Sequence, residues 1–122
     1  MREHNRDRER LEHIQECLER IARYTADVTM EHLMADDMRY YAVVKNIEII
    51  GEASNMLTAD FREAHPETPW KMLSGMRNYI VHEYFQIDND VIRDVLRNDL
   101  PLLGAQIAKY LADTDWESWK KQ

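Results

Sequence analysis

The amino-acid sequence predicts an all-α protein folded as a compact up-down bundle of four to five helices. The chain has 122 residues, which is room for one hydrophobic core, so we expect a single domain over residues 1–122. It contains only three glycines and three prolines, so turns are few and the elements between them are long. β-Sandwiches and barrels need a turn signal every ~8–12 residues. Apolar residues also recur at steps of three and four, which is typical of amphipathic helices.

Composition and charge exclude several classes of protein. Hydrophobic residues make up 44% and charged residues 32% of the chain, which is typical of a soluble globular protein. The net charge of −7 argues against nucleic-acid binding driven by a broad basic surface. The one cysteine, Cys17, rules out an internal disulfide and a cysteine-rich zinc site. The sequence has no apolar run of membrane-spanning length and no secretory signal at its N-terminus, so we expect a cytoplasmic protein without a membrane partner.

Two long helices are predicted in the first half of the chain. The first runs from about Asp7 to Ala26, and Thr29 caps a short helical turn after it. Asp36 caps the second, from about Asp37 to Leu57, in which Gly51 costs roughly 1 kcal/mol relative to Ala. We interpret Gly51 as a point of close approach between helices. The apolar residues that define the first helix are Leu11, Ile14, Leu18 and Ile21.

The second half begins with a short helical turn over Thr58 to His65, which ends because a residue before proline avoids the α region. Thr68 is then predicted to be the N-cap of a third helix with Pro69 at its first position. We expect this helix to reach about Tyr84.

The remaining chain predicts one more interrupted helix and a short tail. Asp88 or Asn89 caps the helix, and Pro101 must kink or interrupt it near Asn98. The tail carries two tryptophans three residues apart, and their spacing leaves open whether they pack on the body of the protein or on a partner. These are Trp116 and Trp119.

One segment, residues 76–85, collects polar side chains suited to phosphate and proton chemistry. On a continuous helix, Arg77 and Tyr84 are seven residues apart and share a stripe, while Asn78 and His82 are neighbours at a spacing of four. Arginine offers a planar fork to phosphate oxygens. Histidine exchanges a proton near neutral pH. The segment is therefore a candidate catalytic site.

Spacing alone favours a capping and packing cluster over a catalytic site. On a helix, Arg77 and His82 are about 140° apart around the axis and ~7.5 Å apart along it, so they do not converge within one chain. Two copies of this helix packed across a two-fold axis would bring together an arginine and a histidine from each protomer.

The segment resembles the Arg-x4-His-x-Tyr signature of the HepT-like toxins, within the HEPN superfamily of small helical ribonucleases. The match consists of Arg77, His82 and Tyr84 with the intervening spacing. Short flanking motifs also agree with those of the family, and the resemblance covers roughly Leu11 to Leu111. These motifs are Ile49 to Ala53, Pro69-Trp70, Met76-Arg77-Asn78, Val81-His82-Glu83-Tyr84, Ile87-Asp88 and Leu100-Pro101.

The resemblance implies a metal-independent endoribonuclease that needs no cofactor. In this reaction the ribose 2′-OH attacks the adjacent phosphorus and the 5′-oxygen leaves, so RNA is the substrate and DNA is not cut. By the resemblance, His82 is the general acid/base, Arg77 anchors the phosphate and stabilises the transition state, and Asn78 is an auxiliary polar group. No pair of histidines elsewhere has zinc-ligand spacing, so no metal site is predicted.

The resemblance also implies partners. The chain is expected to form a homodimer, or a higher oligomer built from it, through the motif helix. It is expected to be the toxin of a type II toxin–antitoxin pair, neutralised by a minimal nucleotidyltransferase (MNT-type) antitoxin that adenylylates Tyr84. The alternative is a non-catalytic helical adapter or substrate-binding subunit of a nucleotidyltransferase, which would bind the enzyme without cutting RNA.

Overall fold

The computed structural model describes residues 4–81 and 86–122 of the chain, and these residues are almost entirely helical. A 3₁₀ turn precedes the first long helix. The α-helices in chain order are α1 (Asp7–Thr25), α2 (Met30–Ala35), α3 (Asp37–Met56), α4 (Ala59–Ala64), α5 (Trp70–Ser74), α6 (Met76–Ile80), α7 (Asn89–Asp94), α8 (Leu100–Asp113) and α9 (Trp116–Trp119). The predicted all-α class is confirmed.

Three long helical units carry most of the core: α1, α3 and the continuous run from α7 to α8. The apolar stripe of α1 packs on α3 and on α8, so α1 lies between the other two units. Its buried side chains include Leu11, Ile14, Cys17 and Ile21, which meet core residues such as Ile47 and Ile107.

The predicted helix starts in the first half are confirmed by their caps. Thr29 accepts a hydrogen bond from the backbone N–H of His32 at 3.1 Å, and Asp36 accepts one from Arg39 at 3.2 Å. Asp88 caps α7 in the same way, through Val91. A short polar side chain at each of these positions satisfies an N–H that the first helical turn leaves unpaired.

The interruption predicted at Pro101 is also confirmed. Between α7 and α8 the chain makes a π-helical turn, Val95–Asp99, and Pro101 lies in the first turn of α8. Because proline has no N–H to donate, the ladder of hydrogen bonds must change where it enters the helix.

The prediction for Thr68 was wrong. Its side chain does not cap the following helix, whose N-cap is Pro69 and whose first residue is Trp70. Instead the buried Thr68 hydroxyl hydrogen-bonds to Gln106 and Tyr110 of α8. The Thr68 hydroxyl therefore bonds to distant residues of α8 and does not cap the helix that follows it.

The two tail tryptophans pack on the body of the protein, which settles the question their spacing left open. The indole N–H of Trp119 donates to the buried carboxylate of Asp7 at 2.9 Å. The ring of Trp116 stacks on that of Phe61, with centroids 6.1 Å apart and planes inclined by 15°. Asp7 also accepts hydrogen bonds from the backbone N–H and hydroxyl of Thr58, so one carboxylate joins α1, α4 and α9.

Gly51 lies at a very close contact between α3 and α5. A Cβ atom at this position would lie 2.7 Å from the backbone oxygen of Leu73 in α5, a separation at which the backbones must move apart. The interpretation of Gly51 as a point of close approach is therefore confirmed. This contact seats α5, and with it α6, directly on α3.

Gly51→Ala should lower the free energy of unfolding by about 1–3 kcal/mol, because the added methyl group overpacks a backbone contact. Urea unfolding monitored by circular dichroism measures the change. Gly104→Ala is the matched control. A Cβ atom there would meet only the Leu18 side chain at an ordinary 3.9 Å, so the better helix propensity of alanine should leave that variant as stable as the parent or more so. Equal stability of Gly51→Ala and the parent would contradict this packing argument.

Candidate functional site

The short helix α6 presents the first two residues of the predicted site to solvent. Arg77 and Asn78 are both exposed, while Met76 and Ile80 on the opposite side are buried in the core. The buried pair fixes the orientation of the helix, since rotating it would expose both apolar side chains. The exposed pair is therefore available to a ligand or to a second protein chain.

Arg77 has one charged neighbour in the described structure, Glu48 of α3. The Nε atom of Arg77 lies 4.0 Å from Oε2 of Glu48, and the side chains are 53% and 19% exposed, respectively. A pair this long and this exposed is weak, because water screens it. Among the described residues, Glu48 takes up only the Nε side of the guanidinium, and its other donors suit phosphate oxygens. The sequence predicted Glu48 to lie in the second helix, but its spacing did not predict a contact with Arg77.

The predicted third helix, from Pro69 to about Tyr84, was wrong in its extent. Gly75 divides it into α5 and α6, and α6 ends at Ile80. The backbone of Val81 is extended and forms an antiparallel bridge with Ile87. The Ile80 carbonyl accepts from the Asp88 N–H at 2.8 Å. The backbone groups that would continue the helix are thus paired with the chain leading into α7, and β-branched side chains favour this extended conformation.

This ending changes the geometric argument about the motif. The helix that carries Arg77 and Asn78 stops two residues before His82. The prediction that Arg77 and Tyr84 share one stripe and that Asn78 pairs with His82 assumes an unbroken helix. Because α6 ends at Ile80, helical spacing no longer supports either relation. His82 and Tyr84 themselves lie outside the described residues.

One helix, α3, supports both ends of the motif region. Gly51 lies under Leu73 before the motif, Glu48 lies beside Arg77, and Tyr40 donates a 2.6 Å hydrogen bond to Asn89 after the motif. Burial raises the pKa of Tyr40, although Arg93 acts in the opposite direction, so the phenol remains a donor at neutral pH. The described residues on both sides of positions 82–85 are therefore held against a single rigid element.

The other histidines with resolved contacts serve packing and surface pairing. The His65 ring lies between those of Phe61 and Tyr110, with centroid separations of 4.4 and 4.3 Å. His4 pairs with Asp60 and packs edge-on against Trp119. Burial raises the pKa of Tyr110 to about 12, and its hydroxyl donates to Glu67. These groups lie in the aromatic cluster around α4 and α9, not on the face that carries Arg77.

Within residues 4–81 and 86–122, no three histidine, cysteine or acidic side chains come close enough together to hold a metal ion. In the same ranges, none of the helices combines the length and the apolar character that crossing a bilayer requires.

Comparison with known proteins places this arrangement in a family. The family described as "Ribonuclease HepT-like" matches residues 14–110, a range that includes α6 and the whole predicted motif. A protein of Thermococcus cleftensis named "Probable ribonuclease HepT" is 36% identical over 99 residues, which cover 81% of this chain and 90% of that protein. A relative from Caldanaerobacter subterraneus with a provisional RNase name is 37% identical over 102 residues, covering 83% of this chain and 90% of the relative. No solved structure matches the chain.

Proposed function

This chain belongs to the ribonuclease HepT-like family, and we propose that it is a metal-independent endoribonuclease acting as the toxin of a toxin–antitoxin pair. The observation that carries the proposal is the family match over residues 14–110, within which Arg77, His82 and Tyr84 stand in the order and spacing of the signature. The exposed position of Arg77 on α6 supports it, because a group that binds a polymer's phosphate must be accessible.

Arg77 is proposed to hold the phosphate that is attacked. Its guanidinium is charged at all physiological pH values and presents parallel donors that match two phosphate oxygens. As the 2′-oxygen adds to phosphorus, negative charge accumulates on those oxygens, and a fixed cation stabilises it. Glu48 lies at the Nε side of Arg77, where a weak contact orients the side chain without neutralising it.

His82 is proposed to move the protons. The 2′-OH must lose a proton as its oxygen bonds to phosphorus, and the departing 5′-oxygen must gain one as its bond to phosphorus breaks. A single imidazole exchanges protons in both directions near neutral pH, so one His82 serves first as base and then as acid. The products are a 2′,3′-cyclic phosphate and a free 5′-hydroxyl, so the reaction consumes no water in this step.

A homodimer is proposed to form the complete site. The helices that carry Arg77 and Glu48 also expose large side chains of partly apolar character: Tyr79 on α6 is 55% exposed and Tyr41 on α3 is 58% exposed. Tyr41 stands seven residues before Glu48 on the same helix, so these two lie along one stripe. Burial of such side chains against a second copy would stabilise association around the motif.

His82→Ala should reduce RNA cleavage by about 100-fold or more, which is the typical contribution of a positioned acid/base. Cleavage of a 5′-labelled RNA, resolved on a denaturing gel, measures the rate. His32→Ala is the matched control, since His32 is an exposed histidine on α2.

Circular dichroism and thermal melting establish that both variants fold like the parent. The catalytic role is wrong if His82→Ala cleaves at the parent's rate. Binding of an MNT-type nucleotidyltransferase by a parent protein that cuts no RNA would favour the adapter instead.

The antitoxin is proposed to act on Tyr84. Its hydroxyl would attack the α-phosphorus of ATP, lose its proton and displace pyrophosphate, which leaves AMP joined to the phenolic oxygen. The new phosphodiester is an anion attached seven residues from Arg77, and an arginine that binds substrate phosphate can bind this group in its place. Modification would therefore block the substrate's anchor.

Tyr84→Phe should escape modification when the chain is incubated with an MNT-type enzyme and ATP, because it lacks the accepting hydroxyl. Intact-protein mass spectrometry detects the mass added by AMP on the parent. Tyr79→Phe and Tyr41→Phe remove hydroxyls that are exposed in the described structure and should be modified like the parent. Unchanged modification of Tyr84→Phe would show that another residue is the acceptor.

A further inference from the structure

A second cluster of polar groups lies beside the motif, in an open cleft between α4 and α5. The cleft has a volume of about 430 Å³ and is bordered on its third side by α3. The buried ring of Trp70 forms part of its wall. The residues that give it chemical character are Asn55, Arg62, Glu63, Lys71 and Ser74.

Two of these groups are shielded from solvent and unpaired. Neither the Nε atom of Arg62 nor the Oγ atom of Ser74 has a hydrogen-bond partner among residues 4–81 and 86–122, although both atoms are buried. An unpaired buried polar atom costs free energy, which a shift of the side chain toward a bound acceptor would recover. The side chains of Arg62 and Ser74 thus keep hydrogen-bonding capacity that no described residue uses.

The charge of the cleft is opposite to that of the chain. Arg62 and Lys71 contribute two positive charges and Glu63 contributes one negative charge, in a protein whose net charge is −7. Neither cation forms an ion pair with any residue that the structure describes. Unneutralised cations next to hydroxyl and amide groups are the usual setting for phosphate oxygens.

The cleft lies next to the helix that carries Arg77. Ser74 stands three residues before Arg77, at the end of α5, and α5 and α6 both pack on α3. Asn55 of the cleft and Glu48 beside Arg77 are seven residues apart on α3, which places them about 10 Å apart along the axis. Because the backbone of α5 covers α3 at Gly51, an RNA strand held at Arg77 would reach the cleft by passing over the exposed side of α5, where Lys71 lies.

We infer that the cleft formed by Arg62, Lys71, Ser74 and Asn55 binds a second phosphodiester of the RNA strand, away from the bond that is cut. This inference rests on the proposed ribonuclease function and adds to it a substrate-binding subsite. The subsite lets an acidic protein bind RNA at a small local site, without a wide basic surface. It favours a single strand, since a groove of this kind follows one backbone.

Arg62→Gln tests the subsite through binding. The ligand is a fluorescently labelled 2′-O-methyl RNA of roughly 12 nucleotides, which keeps the phosphodiesters and lacks the attacking hydroxyl. Fluorescence anisotropy should show a Kd raised about tenfold, since a charge-assisted hydrogen bond is lost. The slope of log Kd against log salt should fall by about 0.7, the value for one phosphate contact on a single strand.

Matched variants separate this effect from a loss of charge or of fold. Arg23→Gln removes an exposed arginine of α1, outside the cleft, and should leave the Kd within about twofold of the parent's. Lys71→Gln changes an exposed side chain, so it keeps the test decisive if Arg62→Gln disturbs folding. An unchanged Kd in Lys71→Gln and in a folded Arg62→Gln would overturn the subsite. So would displacement of the RNA by an equimolar amount of AMP or inorganic phosphate, which would indicate a mononucleotide or phosphate site.

Cleavage kinetics distinguish failure of the subsite from failure of the proposed function. In Arg62→Gln the KM for cleavable RNA should rise while kcat stays unchanged, because the cleft contacts the strand away from the reacting atoms. A parent that binds RNA but cuts none would refute the nuclease and leave the binding measurements to decide the subsite. A parent that cuts RNA, with an Arg62→Gln variant that has the parent's Kd and KM, would refute the subsite alone.

Discussion

The close contact between Gly51 and the Leu73 carbonyl is the constraint on which the candidate site depends. It sets the distance between α3 and α5, and α6 follows α5 after one residue. The same helix, α3, therefore places Glu48 beside Arg77 and supplies Asn55 to the neighbouring cleft. A side chain at position 51 would push away the element that carries both groups. Gly51 lowers the helix propensity of α3, but its missing side chain lets α5 pack directly on α3 and so positions the site.

The acidic composition and the proposed RNA chemistry are compatible because the cations are local. Arg77 is exposed and makes a long contact to Glu48, and two more cations, Arg62 and Lys71, line the cleft next to Ser74. Excess negative charge elsewhere opposes non-specific binding of nucleic acid, which a basic surface would promote. The proposed sites would bind RNA at a few phosphates, while the acidic remainder of the surface repels the polymer. Selectivity would then come from the geometry of those few contacts.

Much of the fold followed from the sequence because its signals were local. Helix caps at Thr29, Asp36 and Asp88 and the break at Pro101 depend on neighbouring residues, so spacing was enough to place them. Thr68 was misassigned because its hydroxyl bonds to residues of α8 that lie 38 and 42 positions further along the chain. Tertiary hydrogen bonds of this kind leave no periodic pattern in the sequence.

The site was predicted less completely for the same reason. The residues of the motif could be chosen by their chemistry, but the end of α6 at Ile80 depends on pairing between Val81 and Ile87 across the intervening residues. The cleft at Arg62 depends on three elements that meet only in the folded chain. Neither feature could be found from helical spacing, because both arise from contacts between segments whose relative position the sequence does not state.

The most direct test of the account is complementation between two inactive protomers. Arg77→Ala and His82→Ala chains, given different affinity tags and co-expressed, can be purified as mixed dimers, and cleavage of labelled RNA can then be measured. In a mixed dimer the arginine of one protomer and the histidine of the other are the intact pair. The account predicts that the mixed dimer regains cleavage while each parent dimer stays inactive. A mixed dimer as inactive as its parents would contradict a cleft shared between two subunits.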